Sequence, residues 1–274
     1  MITIEINPVA LGFGAFEVRW YGVMVVLAIV AVIGIALLEA KRVGFSQDHI
    51  YSVALWGIVG GVVVSRLFHV IDQWDYYMAH PGQIIGFSGL TVYGAVMGAL
   101  VAVLTYAWVK KLSFWQLGDI AAPGALLGQA IGRIGCLING CCFGIFTSLP
   151  WAVVYTHPGS YAPLGEPRHP TQIYHLLWNL IAFAIIWRLR RRLRPPGSVF
   201  LTYLALYAIG DLGIRFVREG EAFLFGMQQA QLIGVVMLLV TVPWLIVRMW
   251  RARAAILPLE SSSEVSQSEQ NQGA

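Results

Sequence analysis

Residues 20–38 read WYGVMVVLAIVAVIGIALL, a stretch without a single charge, and Lys41 and Arg42 follow just beyond it. A helix needs ~20 mostly apolar residues to cross the hydrocarbon core of a bilayer. The stretch is therefore read as a spanning helix, and the basic pair marks its cytoplasmic end. Comparable runs recur at 50–71, 90–109, 120–141, 172–187, 199–217 and 229–249. The pattern predicts an all-α integral membrane protein with about seven transmembrane helices. Composition points the same way. Of the 274 residues 58% are hydrophobic and only 12% are charged, where soluble domains are roughly a quarter charged. Mean hydropathy is +0.69.

Basic residues orient the chain. Lys41 and Arg42 follow the first span, Lys110 and Lys111 the third, Arg188, Arg190, Arg191, Arg192 and Arg194 the fifth, and Arg248, Arg251 and Arg253 the seventh. All fall on one side, which the positive-inside rule makes cytoplasmic. The expected layout is an extracytoplasmic N-terminal segment at 1–17, a seven-helix catalytic domain at 18–253 and a cytoplasmic tail at 254–274. The tail is rich in Ser, Glu and Gln and is expected to be disordered. Met1 to Glu17 lacks a basic start, so no cleavable signal is expected. The net charge of +4 is then a topology signal and implies no nucleic-acid partner.

Six arginines remain that topology does not require: Arg19, Arg66, Arg133, Arg168, Arg215 and Arg218. Arg133 stands inside Gly132-Arg133-Ile134-Gly135-Cys136-Leu137-Ile138-Asn139-Gly140. A guanidinium within a span is costly and normally faces the bundle or a wet cavity. It reads either as a paired structural arginine or, with glycines on both sides, as an anion site whose planar fork suits phosphate. Asn139 belongs to the same stretch. Arg66 reads equally as a second phosphate ligand or as a snorkelling side chain. Tyr203, Tyr207, Asp211 and Arg215 fall four apart and share one helix face. Asp211 and Arg215 make an acid-first ion pair, and Arg218 and Glu219 extend the polar region.

Gly124, Gly128 and Gly132, Gly94 and Gly98, and Gly57, Gly61 and Ser65 repeat every four residues. That spacing predicts close helix packing. Arg168-His169-Pro170-Thr171-Gln172-Ile173-Tyr174 reads as a helix start, whose free N–H groups favour an anion. Tyr21 and Tyr93 read by default as aromatic-belt residues. Cys136, Cys141 and Cys142 are too few for a disulfide framework, and their spacing without histidines is not a zinc pattern. They read as packing residues, and no metal is expected.

At these residues the sequence resembles the bacterial prolipoprotein diacylglyceryl transferases. Four stretches carry the resemblance: Arg19 to Met24, Ser88 to Ala95, Gly132 to Gly140, and the Arg-His-Pro box Arg168 to Tyr174. It covers about residues 18–250. It implies an enzyme that moves the diacylglyceryl group of phosphatidylglycerol onto the lipobox cysteine of a preprolipoprotein. A thioether forms and glycerol phosphate leaves, at the outer face of the cytoplasmic membrane, with no cofactor. The resemblance makes Arg133 the phosphatidylglycerol-binding arginine and Arg66 the second-span arginine. It carries functional roles onto Tyr21, Asn139 and Tyr207.

The catalytic set expected is Arg133, Tyr21, Tyr93 and Asn139. The substrate-binding set is Arg133, Arg66, Gly140, His169, Gln172, Tyr207, Asp211, Arg215 and Arg218. Three positions depart from the family pattern: Tyr93 and Cys136, where many members have His and Asn, and Asp211, where many have Arg with the acid one turn later at the position of Arg215. The alternative reading is a non-catalytic phospholipid-binding relic or an anionic-solute carrier.

Overall fold

A computed structural model describes the backbone over residues 1–13, 16–84 and 91–272, and the side chains over 1–12, 17–84, 91, 93–252 and 254. The chain folds as two units, one of residues 1–32 and 118–274 and one of residues 33–117. Each apolar run of the sequence is a helix: α1 (Trp20–Val43), α2 (Gln47–Asp72), the short α3 (Trp74–Ala79), α4 (Val92–Val109), α5 (Phe114–Asn139), α6 (Thr171–Leu189), α7 (Ser198–Arg215) and α8 (Gln229–Gln272). Six are long and apolar enough to cross a membrane, the last of them over Gln229–Ala252. The run expected at 90–109 is a shorter apolar helix, described over Tyr93–Val109. This is a multi-pass membrane protein. The backbone of α8 continues as helix through the tail whose composition predicts disorder.

In the smaller unit the glycine spacing does what it predicts. A Cβ on Gly98 of α4 would stand 2.2 Å from the Gly60 carbonyl oxygen of α2, and one on Gly94 would stand 2.7 Å from Ser65 Cα. Small residues let these two backbones meet. Ser65 Oγ donates to the Thr91 carbonyl at 2.7 Å and closes the contact.

In the larger unit α5 is the most buried of the spanning helices, with half of its spanning window covered against 6% for α1. Gly128 and Gly135 set its approach to α1, where added Cβ atoms would meet Val32 at 2.6 Å and Met24 at 3.0 Å. Gly132, also expected to pack, faces open space. At the other end of α5, Asp119 accepts from the N–H groups of Gly197 (2.6 Å) and Phe200 (2.8 Å). It thereby satisfies the first turn of α7 and complements its dipole. A core of Ala122, Leu126, Ala182, Ile186 and Val199 joins α5, α6 and α7.

The sequence gives no warning of a small β structure in this unit. β1 (Ile2–Ile4) pairs in parallel with β4 (Val153–Tyr155), Ile2 opposite Val153. β2 (Val9–Phe13) and β3 (Phe16–Arg19) form an antiparallel ribbon leading into α1. Ile4, Val153, Tyr155 and Ala162 form a second core, against which Leu137, Phe143 and Ile173 pack. The long segment between α5 and α6 is thus seated on the C-terminal end of α5.

Candidate active site

The candidate site lies where α5 ends. Gly140 takes the left-handed conformation (φ +70°) and its N–H donates to the Leu137 carbonyl. A Cβ there would stand 1.9 Å from Ser160 Oγ. Gly140 therefore serves as the helix stop. The chain turns back over α5, and the N-terminus of α6 is laced to it. Gln172, 1% exposed, donates from Nε2 to the Cys141 carbonyl at 2.7 Å. Thr171 Oγ1 donates to the Cys142 carbonyl at 2.5 Å. Tyr155 donates to the Leu137 carbonyl at 3.0 Å, and burial pushes its hydroxyl up, so it stays a donor. His169 holds backbone bonds to Gly144 and Ile145, and its Nδ1 stands 3.2 Å from the Tyr174 hydroxyl. The Arg-His-Pro box and the Gly132–Gly140 signature are thus one hydrogen-bonded assembly.

The six arginines sort by partner. Arg19 donates to Asn139 Oδ1 at 3.3 Å and lies over the Tyr161 ring. Arg168 is held between Glu166 and Glu219. Arg215 is paired to Asp211 at 2.8 Å and also donates to Gln228 Oε1 at 3.2 Å. In the smaller unit, Arg66 donates to the carbonyls of Gln83 and Ile84 and lies over Tyr77. Arg133 and Arg218 differ. Both are half-buried, and neither guanidinium has a hydrogen-bond or ion-pair partner among the described residues. Both act electrostatically on Cys142, His175 and Tyr207, and Arg133 also on Tyr21. Two positive charges without a partner among the described residues thus act on common neighbours.

The polar stripe of α7 is present as expected. Tyr203 accepts from Gln129 Nε2 at 2.9 Å, and its ring tilts against that of Tyr207. Asp211 is only 6% exposed and meets a residue that sequence reasoning passed over: His175 Nε2 stands 3.8 Å from Asp211 Oδ1. Neither atom has a hydrogen-bond partner among the described residues. The available signal was position, since His175 follows Thr171 by one helical turn on the face that carries the box.

Cys136 and the adjacent pair Cys141 and Cys142 have their sulfurs within 4.8 Å of one another. Hydrogen bonding from Cys136 and Cys141, with Arg218 and Arg133 nearby, holds the Cys142 thiol well below its ordinary pKa.

Tyr93 belongs to the smaller unit and is 82% exposed. Of the stretch it shares with Ser88, residues 88–90 lie outside the described residues. The structure therefore gathers Tyr21, Arg133, Asn139, Gly140, His169, Gln172, Tyr207, Asp211, Arg215 and Arg218 on the larger unit, with Arg66 and Tyr93 on the smaller.

A family model described as prolipoprotein diacylglyceryl transferase matches residues 8–247. The chain is similar to the phosphatidylglycerol–prolipoprotein diacylglyceryl transferase of Dehalococcoides mccartyi, with 40% identity over 256 residues covering 93% of this chain and 98% of that protein. The proteins of the same name from Trichormus variabilis and Limosilactobacillus reuteri are 34% and 33% identical. They cover 88% and 90% of this chain and 90% and 93% of their own lengths.

Proposed function

Because the chain belongs to the prolipoprotein diacylglyceryl transferase family, we propose that it transfers the diacylglyceryl group of phosphatidylglycerol to the lipobox cysteine thiol of preprolipoproteins. In this reading the sulfur attacks the glyceryl carbon that bears the phosphate ester. An S–C bond forms, the C–O bond breaks, and glycerol phosphate leaves with the electron pair. The thiol proton passes to an acceptor in the site. Charge builds on the departing phosphate, so fixed cations aimed at it lower the barrier.

The observation that carries the reading is that Arg133 and Arg218, beside the laced signature loop, have no partner for their guanidiniums among the described residues. Arg133 grips the phosphate and Arg218 assists. Tyr21 and Asn139 orient the head group or the incoming thiol, and Tyr207 lines the pocket. Gln172 and His169 hold the loop that follows Asn139, and Arg215 keeps Asp211 neutralised. The basic clusters orient the chain with the C-terminal end of α5 toward the outer leaflet of the bacterial cytoplasmic membrane. The N-terminal segment 1–17 is then extracytoplasmic, 18–253 is the catalytic domain, and 254–274 is a cytoplasmic tail.

The test is direct. Purified protein is incubated with phosphatidylglycerol and a lipobox peptide, and the peptide is weighed by mass spectrometry. A mass increase of one diacylglyceryl group on the cysteine is expected. A peptide that stays unmodified while the protein retains phosphatidylglycerol identifies a lipid-binding relic and refutes the proposal.

A further inference from the structure

We propose that Cys136, Cys141 and Cys142 form a three-thiolate binding site for a soft, monovalent d10 metal ion of the copper(I) class. The chain's own geometry prepares it. Cys136 lies in the last turn of α5, and the left-handed turn at Gly140 folds Cys141 and Cys142 back over it. The Cys141 N–H donates to the Cys136 carbonyl at 3.1 Å. All three cysteines are free, and their sulfurs lie within 4.8 Å of one another. Metal–thiolate bonds of ~2.3 Å place three sulfurs about 4.0 Å apart in a trigonal plane. Closure onto an ion therefore takes sulfur movements of roughly 1 Å or less.

The donor set selects the ion. Thiolates are soft and favour copper(I). Among the described residues no His, Asp or Glu joins the group, so the four protein ligands of a structural zinc site are not assembled. Three thiolates around a monovalent ion carry two negative charges. Arg133 and Arg218, both within electrostatic reach of Cys142, offset them. Binding forms three S–metal bonds, and each cysteine still carrying its S–H proton breaks that bond and releases the proton to solvent. No electron moves, because the ion enters in its reduced state. Bound metal would then engage the same two guanidiniums that the proposed phosphate site uses and block transfer. That consequence rests on the functional reading above, whereas the binding itself does not.

The test needs no catalysis. The full-length protein, purified in detergent under reducing, anaerobic conditions, is titrated with copper(I) against bicinchoninate. One ion per chain is expected, with thiolate-to-copper absorption in the ultraviolet and three sulfur neighbours by X-ray absorption. Losing a second-shell partner typically costs 10–100-fold in metal affinity, so C136S, C141S and C142S should each lose about a hundredfold or more. Copper(I) binding no tighter than that of the triple serine chain overturns the site. So does a nitrogen or oxygen shell on the unsubstituted protein, a measurement that does not depend on any variant folding. Zinc(II) displacing copper(I) at equal stoichiometry overturns the choice of ion. Loss of transfer without any metal dependence bears only on the phosphate reading.

Discussion

Replacing Arg133 separates a binding arginine from a structural one, because the structure sets different outcomes for the two. An arginine paired with a buried acid leaves that acid stranded when removed, at a cost of about 3–5 kcal/mol in stability. Arg133 has no such partner among the described residues. Arg133→Ala should therefore melt in detergent within about 0.5 kcal/mol of the parent, the usual range for positions whose loss strands nothing. The effect should fall on transfer. A guanidinium engaging phosphate through its fork makes two charge-assisted bonds, each worth about 1.5–3 kcal/mol. Taking about 4 kcal/mol for the pair gives a roughly thousandfold loss in kcat/KM. Arg133→Lys keeps the charge and loses the fork, so it should recover about half of that free energy, a loss of roughly thirtyfold. The assay follows lipobox-peptide mass against time over a series of phosphatidylglycerol concentrations. If Arg133→Ala transfers within threefold of the parent, or if it unfolds while Arg133→Lys is fully active, the phosphate assignment is wrong.

Other perturbations test the surrounding frame. Gly98→Ala drives a methyl into the Gly60 carbonyl and should lower stability by about 1–3 kcal/mol, read by thermal melting. Gly132→Ala, which meets nothing within 4 Å, should leave the melting temperature unchanged. Gln172→Leu strands the Cys141 carbonyl and should cost about 1–3 kcal/mol together with transfer activity. An intact rate in that variant would show that the lacing does not position the site. The Cys142 thiol is held below its ordinary pKa by the neighbouring thiols and by Arg218 and Arg133. Its alkylation by iodoacetamide, mapped by peptide mass, should rise less steeply from pH 6 to pH 8 than that of an ordinary thiol, which gains roughly tenfold per unit.

The membrane helices were legible because the bilayer imposes one demand on every span, a long apolar run, and that demand is local. The α2–α4 contact was legible for a related reason, since four-residue glycine spacing puts a groove on one face whatever packs there. The pairing of Ile2 with Val153 carries no such signal. Each strand is three residues long, and their meeting is purely tertiary. The sorting of the arginines was hidden in the same way. Nothing local to Arg168 announces that Glu219 reaches it, and nothing local to Arg133 announces that none of the described acids does. The cysteines show the limit most clearly. Spacings of five and one look useless for a shared ligand until Gly140 reverses the chain between them.

The exchanged charges of α7 acquire a meaning from this sorting. With an acid at 211, the helix must supply a cation to neutralise a carboxylate that is 6% exposed, and Arg215 does so at 2.8 Å. That use removes Arg215 from the set free to hold a ligand. Arg218 lies three residues on, just past the end of α7, and its guanidinium has no partner among the described residues. It acts on the same His175 and Tyr207 that Arg133 acts on. The exchange therefore need not cost the site its second cation, because the role can pass from the helix to its exit. If so, Arg218→Ala should impair transfer with little effect on melting. Arg215→Ala should chiefly destabilise the protein, since it leaves Asp211 buried beside a histidine 3.8 Å away.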